Sequence, residues 1–490
     1  MNRMRLIILI LCVNTASVLY GQEVVLTLDR AIAIAADSSL QAFRNESEYL
    51  SGYWEFRNFK AGRLPSLSLN LTPAQYYRDF TSRYDFENNV DVYRKQESFY
   101  AGGALQVNQN FDLLGGRFTL DSRLGYLRNR GVDTYSQFSS VPVRLGYSQE
   151  LLGYNPFKWE RRIEPLKYQK VKRKYLYSRE EISETATEYF FALAMAQAEY
   201  DLARESVTYA DTLYATGERR HRIASISKAD LLTLKLDVVN ARNALENASI
   251  ALKRAMFSLA SYLNFDKSTA IRLTLPLHPR VNTITVDEAL SMARENNPDL
   301  IEMQQRILEA QQQVDKTSRE AMFNASVNAS VGFNQVADNL GEAYRDLLQQ
   351  DIVTLSVSIP LVDWGIRKGK RNIARNNLNV NRVTARQKEV SVEEEVIMTV
   401  SDFNVRVQLI ASAREALDLA DLAYQETRQR FMIGQSDINS LTLSQNRQQS
   451  AQQNYVTALK NYWLSYFKIR KLTLYDFEKG IPMVRLKEEI

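Results

Sequence analysis

The sequence predicts a mixed α and β membrane protein built from two internal repeats. Three observations predict it. Heptad-spaced helices of unusual length occur twice at a constant offset, and segments of apolar–polar alternation precede each of them. After the first 21 residues no run of about 18 apolar residues occurs, which excludes a membrane-spanning helix. A β-barrel stays open, since its strands need only about 9–11 alternating residues.

The opening residues carry an export signature. "MNRMR" is a cationic start, "LIILILCV" is apolar but too short to span a bilayer, and Gly21 precedes a cut ahead of Gln22. Residues 1–21 are therefore expected to be a signal peptide. The lone cysteine, Cys12, falls inside it after Leu11, so neither a lipid-anchored cysteine nor a disulfide is expected in the mature chain. Loss of Arg3 and Arg5 lowers the formal charge from +5 to +3, against 62 basic and 57 acidic residues. Such mixed charge fits solvated helix faces and argues against a nucleic-acid partner.

Next come two copies of one plan. "LTLDRAI" (Leu26 to Ile32) matches "ITVDEAL" (Ile284 to Leu290), with Asp29 and Asp287 equivalent at the start of a helix. "LPSLSLNLTP" (Leu64 to Pro73) falls opposite "NASVNASVGF" (Asn324 to Phe333), both of period two. The long helices repeat more strictly. Ile182, Ala186, Tyr189, Leu193, Ala196, Tyr200, Ala203, Val207, Ala210 and Tyr214 step by four and three, and the set 210 residues on runs from Val392 to Tyr424. After a break, Leu231 to Leu259 and Leu441 to Ile469 resume at the same offset. One offset for two helices and the break between them implies duplication. The first repeat spans 22–272 and the second 273–490. In each, a long helix of ~60 residues would extend ~90 Å.

The strands turn this plan towards a membrane. "TLSVSIPLVDWG" (Thr354 to Gly365) faces back to "FNASVNASVGFN" (Phe323 to Asn334), so strands are expected over about 323–365. Leu355, Val357 and Ile359 share one face, with Ser356 and Ser358 on the other. Strands are also expected over about 64–155, where an extra pair, "ALQVNQNF" (Ala104 to Phe111) and "RFTLDSRLGYL" (Arg117 to Leu127), enlarges the first repeat. That hairpin either raises four strands per chain to six or projects as a cap, and the cap is slightly favoured. Two hairpins cannot close a barrel of at least about eight strands, so several chains must share one. Tyr76, Tyr77, Phe80, Tyr84 and Phe86 fit an aromatic girdle or an external loop cluster, the girdle reading being better near Tyr76.

With "LTLDRAI", "ITVDEAL…ENNPDL", "SVSIPLVDWGIRKG" (Ser356 to Gly369) and "RQRFMIGQSDINSLTLSQN" (Arg428 to Asn446) in this order, the chain resembles the TolC family of outer-membrane efflux proteins over nearly all of its mature length. The resemblance implies a homotrimer, with a transmembrane β-barrel continued by a long periplasmic α-helical coiled-coil barrel. It implies residence in the outer membrane of a Gram-negative bacterium. It also implies a passive exit duct working with a periplasmic adaptor and an inner-membrane transporter. Type I protein secretion would use the same duct. A non-conducting periplasmic coiled-coil scaffold is the alternative of another class.

The helix breaks carry the candidate residues. Ile223 aligns with Ile433 and Ala224 with Gly434, a small residue suiting the turn. Ser227 and Asp437 are placed to cap the following helices. Under the resemblance, Ile223, Ala224, Ser225, Ser227, Ile433, Gly434, Gln435 and Asp437 are the tips that meet the adaptor. The family's paired gate aspartates would fall on Ser440 and Leu443, or on Asp230 and Thr233 in the first repeat, so the acidic ring is incomplete. Asp230, Asp437 and Ser440 are the candidate duct constriction, with helix capping as the plain alternative for the two acids. No enzyme, metal site or cofactor is expected. His221 and His278 are the only histidines, and no H-E-x-x-H, nucleophile elbow or phosphate loop occurs. Glu393, Glu394 and Glu395 read as a solvated helix face.

Overall fold

The computed structural model describes residues 24–130, 134–223, 226–276, 283–433 and 435–483. The signal-peptide expectation, His278, Ala224, Ser225 and Gly434 lie outside them. The chain divides into two compact units, one of Met1–Leu50, Val171–Pro298 and Glu389–Ile490, the other of Ser51–Lys170 and Asp299–Lys388.

From the N-terminus, β1 (Val24–Thr27) leads into α1 (Leu28–Ser38) and α2 (Leu40–Ala61). Strands β2 (Ser66–Asp85), β3 (Val90–Phe111), β4 (Gly116–Arg130) and β5 (Tyr135–Glu150) follow. Then come α3 (Pro156–Arg222), α4 (Lys228–Tyr262) and β6 (Ile271–Thr274). The second half runs through α5 (Val286–Asn296), α6 (Pro298–Glu320), β7 (Asn324–Ala337), β8 (Leu348–Ser358), α7 (Ile366–Met432) and α8 (Ile438–Thr473). Helices α3 and α7 have 67 residues each.

Local chemistry explains the boundaries. Ser39 interrupts α1–α2 in an extended conformation, its hydroxyl accepting the Ala42 N–H at 3.1 Å. Asn297 does the same between α5 and α6, because Pro298 disfavours a helical residue before it yet suits the first helical position. Its amide is tied to the Leu472 carbonyl at 3.1 Å.

In the first unit, β1 pairs in parallel with β6. Around this pair Leu26, Ala35, Ile182, Ala186, Leu193, Leu259 and Ile271 form one buried cluster. On the second-half helices Phe403, Tyr462, Trp463 and Tyr466 are buried with ring centroids 5.3 to 6.4 Å apart. The seam residues expected from the heptads are mostly inside: Ala196, Ala203, Ala210, Val392, Val396, Ile410, Leu441, Ala451 and Ile469 are buried. Glu180 is buried too, paired with the Arg470 guanidinium at 3.0 and 3.1 Å. Burial pushes the Glu180 carboxyl up from its ordinary range, partly offset by that cation.

The second unit holds a six-stranded antiparallel sheet in the order β2-β3-β4-β5-β7-β8. Here the favoured cap arrangement gives way. Leu105 of the extra hairpin lies between Leu69 and Ser122 in continuous register, so the hairpin belongs to the six-stranded sheet. Two more boundaries move. β8 ends at Ser358 rather than near Gly365, because Pro360 has no N–H to donate. β5 ends at Glu150 rather than Asn155, before a bend. Register shifts between Thr72 and Gln75 and between Ser140 and Val143 each enclose a proline, Pro73 and Pro142, which a regular ladder would not accept.

Candidate functional site

The sheet has two chemically different faces. Leu67, Val107, Leu120, Leu145 and Val331 are consecutive cross-strand partners, so one apolar row crosses five strands. Leu67, Leu69 and Leu71 remain 62–66 % exposed, and Val353, Leu355 and Val357 on the far strand are exposed as well. Water does not favour such a face, and a lipid does. Aromatic rings bracket it. Phe111, Phe118 and Tyr147 follow one another at 5.8 and 4.6 Å, and Tyr126 packs on Phe138 at 5.0 Å. Phe118 and Tyr126 lie eight residues apart on β4. That is ~27 Å along the strand, or ~20 Å of height at the usual barrel tilt. Tyr76, paired with Phe99, extends the second band; Tyr84 and Phe86 lie further out, at the β2–β3 tip.

The opposite face is polar. Asn110, Arg117, Ser148, Asn328 and Thr354 form one cross-strand row, in which the Ser148 hydroxyl donates to Asn328 at 2.7 Å. Asp121 is 5 % exposed and held by Arg144 at 3.0 and 3.1 Å and by Arg123 at 3.0 Å. Both outer edges of the sheet, β2 and β8, end without a partner strand among the described residues.

The helix breaks form the second candidate region. At the start of α4, Ser227 and Asp230 build a capping box: the Ser227 hydroxyl accepts the Asp230 N–H at 3.1 Å, and Asp230 accepts the Ser227 N–H at 3.1 Å. Asp437 caps α8, accepting the Ser440 N–H at 2.6 Å. That N–H holds the Asp437 carboxyl below its ordinary range. Ile223 and Ile433 are 76 % and 68 % exposed, and Gln435 and Asp437 are exposed beside them.

Leu213, Leu234, Phe431 and Leu441 pack between the two hairpins, flanked by Tyr209, Tyr214, Ile226 and Tyr424. Arg220 lies over the Phe431 ring at 5.7 Å and Arg428 over Tyr209 at 5.5 Å. Gln445 donates to the Ser206 hydroxyl at 2.6 Å. A cavity of about 320 Å³ opens beside this contact. Asp230 and Asp437 both line it, so the structure brings these two candidates together, while Ser440 is not in the lining. Phe431, Arg220 and Gly217 were not singled out from the sequence. Gly217 offered a signal: it costs a helix about 1 kcal/mol relative to alanine. A Cβ there would stand 2.5 Å from Leu234 Cδ1, so its absence lets the hairpin close.

No helix among the described residues is long and apolar enough to cross a membrane. Residues 289–473 match the family of outer membrane efflux proteins. The fold extends the likeness to nearly the whole chain. A membrane protein from Pseudomonas aeruginosa is similar with a TM-score of 0.65 at 13% identity, over 93% of this chain and 92% of that one. The outer membrane protein VceC from Vibrio cholerae gives 0.62 at 13% identity, over 91% and 95%. The CmeC outer membrane channel of Campylobacter jejuni gives 0.63 at 13% identity, over 94% and 89%. A comparison of the sequence with curated proteins finds no match. The partial family match and the fold are both those of outer-membrane proteins of Gram-negative bacteria.

Proposed function

We propose that the chain is the outer-membrane exit duct of a tripartite efflux pump. It passively conducts substrates delivered by an inner-membrane transporter and a periplasmic adaptor. The observation that carries this reading is the six-stranded sheet, apolar outside and polar inside, with both edges open. Hydrocarbon does not tolerate unpaired strand edges, so β8 of one copy pairs with β2 of the next. Three copies of six strands make an eighteen-stranded barrel, in the size range that leaves an aqueous bore. The matching lengths of α3 and α7 and their common offset support two repeats of one plan, giving each copy two hairpin tips.

In this reading the exposed tip residues Ile223, Ser227, Ile433, Gln435 and Asp437, with Ala224, Ser225 and Gly434, meet the adaptor. Asp230, Asp437 and Ser440 from three copies ring the constriction. The contact of Phe431 with Leu213 and Leu234 holds the two hairpins together until the adaptor draws them apart.

The test is the protein mass of the detergent-extracted mature chain by light scattering, corrected for bound detergent, followed by conductance in planar bilayers. Three chains per particle and an ohmic pore are expected. A folded, monodisperse single chain would overturn the shared barrel and return the scaffold reading.

A further inference from the structure

The lipid-facing side of the sheet changes character at one end. Strands β2, β5, β7 and β8 join the helices at Ser66, Glu150, Asn324 and Ser358, so Arg130 lies at the opposite end of the sheet. Past the aromatic band of Tyr76, Phe99, Tyr126 and Phe138, the same face presents Arg78, Lys95, Arg128 and Arg130. Arg78, Glu97 and Arg130 are consecutive cross-strand partners, as are Tyr76, Phe99 and Arg128. Arg128 follows Tyr126 by two residues and Arg130 by four, which places them ~7 and ~13 Å along the strand beyond the ring.

This part of the face carries four cations and one carboxylate. Glu97 is engaged by Lys95 at 2.5 Å and by Arg78 at 3.4 Å. Arg128 and Arg130 are exposed and form no ion pair with another described residue. Between them and the rings of Tyr76, Phe99 and Tyr126 lies a cavity of about 380 Å³. Glu97, already engaged by Lys95 and Arg78, and Ser98 complete its lining.

We propose that this cluster binds a phosphate of the outer-leaflet glycolipid, lipopolysaccharide. The proposal rests on the duct reading, which puts this end of the barrel at the outer leaflet. Guanidinium groups match phosphate oxygens bidentately, and a basic cluster at headgroup depth is the usual means of holding an anionic lipid. A phosphodiester of an ordinary phospholipid carries a single negative charge, whereas a phosphate monoester carries about −1.5 to −2 near pH 7. Two exposed arginines, with no ion-pair partner among the described residues, beside aromatic rings suit a phosphate carried on a saccharide, whose ring packs on Tyr76 and Phe99. The projecting β2–β3 hairpin would then rise among the saccharide chains, which accounts for its mixed aromatic and charged surface at Phe80, Tyr93 and Lys95.

The experiment uses the full mature chain in detergent and native mass spectrometry with three probes: rough lipopolysaccharide, the same lipid with its phosphates removed, and phosphatidylglycerol. The wild-type chain is expected to bind rough lipopolysaccharide at least tenfold more tightly than either other probe. Arg128→Gln combined with Arg130→Gln should lose that tenfold preference, and the paired lysine variants should retain part of it. Equal binding by wild-type and double variant, or equal competition by phosphatidylglycerol, would overturn the site. Heat-modifiable migration reports folding of each variant; if the double variant does not fold, Arg78→Gln with Lys95→Gln is read in its place. A wild-type chain that is a soluble monomer without detergent would instead sink the duct reading, so the two failures are distinct.

Discussion

Arg144 lies flat against Asp121 across neighbouring strands, its Nε 3.1 Å from one carboxylate oxygen and a terminal nitrogen 3.0 Å from the other. Arg123 approaches the same carboxylate at 3.0 Å. The pair sits on the polar face, where Asp121 is nearly closed off from water. Removing one partner of such a pair leaves a poorly solvated charge. Arg144→Ala should therefore destabilise the folded sheet by about 2–3 kcal/mol, less than a fully buried pair because Arg123 remains. Urea unfolding in micelles measures it. Asp121→Asn with Arg144→Gln should recover most of the loss, and full loss in that double variant would refute the pairing argument.

The hairpin contact makes a second prediction. Phe431 is 6 % exposed and packs with Leu213, Leu234 and Leu441. Phe431→Ala should cost about 3 kcal/mol locally. The cost should appear as faster hydrogen exchange near Leu213, Leu234 and Leu441 and as higher conductance in bilayers. Arg220→Gln removes only a cation–ring contact of about 0.5–1 kcal/mol and should shift both readouts less. Unchanged exchange in Phe431→Ala would show that this contact does not hold the hairpins together.

These two contacts differ in how visible they are in the sequence. The seam from Ile182 to Ala210 and its second-half counterpart were legible because a helix packed along its length must repeat its apolar positions every three or four residues. Caps at Ser227 and Asp437 were legible for a similarly local reason. Phe431 was not. Two of its partners, Leu213 and Leu234, lie on the other hairpin, and the residue at the same offset in the first half is His221, so neither repeat nor period marks it. The place of Leu105 was also hidden. Its alternation with Gln106 and Val107 is the same whether the hairpin caps a barrel or joins it, and only the long-range pairing with Leu69 and Ser122 decides. Asp121 with Arg144 shows the same limit, since a charge within an alternating strand does not name its cross-strand partner.

Acid should loosen one tip in a defined direction. The Asp437 carboxyl is held below its ordinary 3.8, chiefly by the Ser440 N–H. A depressed carboxyl contributes stability that is fully present above 3.8 and is lost as pH falls through the lower folded value. Hydrogen exchange over Asn439 to Leu441, corrected for intrinsic rates, should therefore show less protection below that pH. Asp437→Asn keeps a good cap without a titrating group, so its protection should not change across the same range. If wild type and variant lose protection in parallel, another group controls the tip.

Adjacent residues on β8 should respond in opposite ways if the sheet faces are as assigned. Leu355 lies on the apolar face beside Val327 and is 63 % exposed, while Thr354 lies on the polar face beside Asn328. In a water-soluble scaffold, exposure alone would make Leu355→Arg nearly harmless. In a bilayer the same change places a guanidinium against hydrocarbon, at about 2–4 kcal/mol near mid-depth. Thr354→Arg points into water on either view. Leu355→Arg is thus expected to reduce the heat-modifiable, outer-membrane fraction several-fold, and Thr354→Arg to leave it near wild type while shifting ion selectivity towards anions. Equal tolerance of the two arginines would mean that the exposed leucine row faces water, and the barrel would lose its main support.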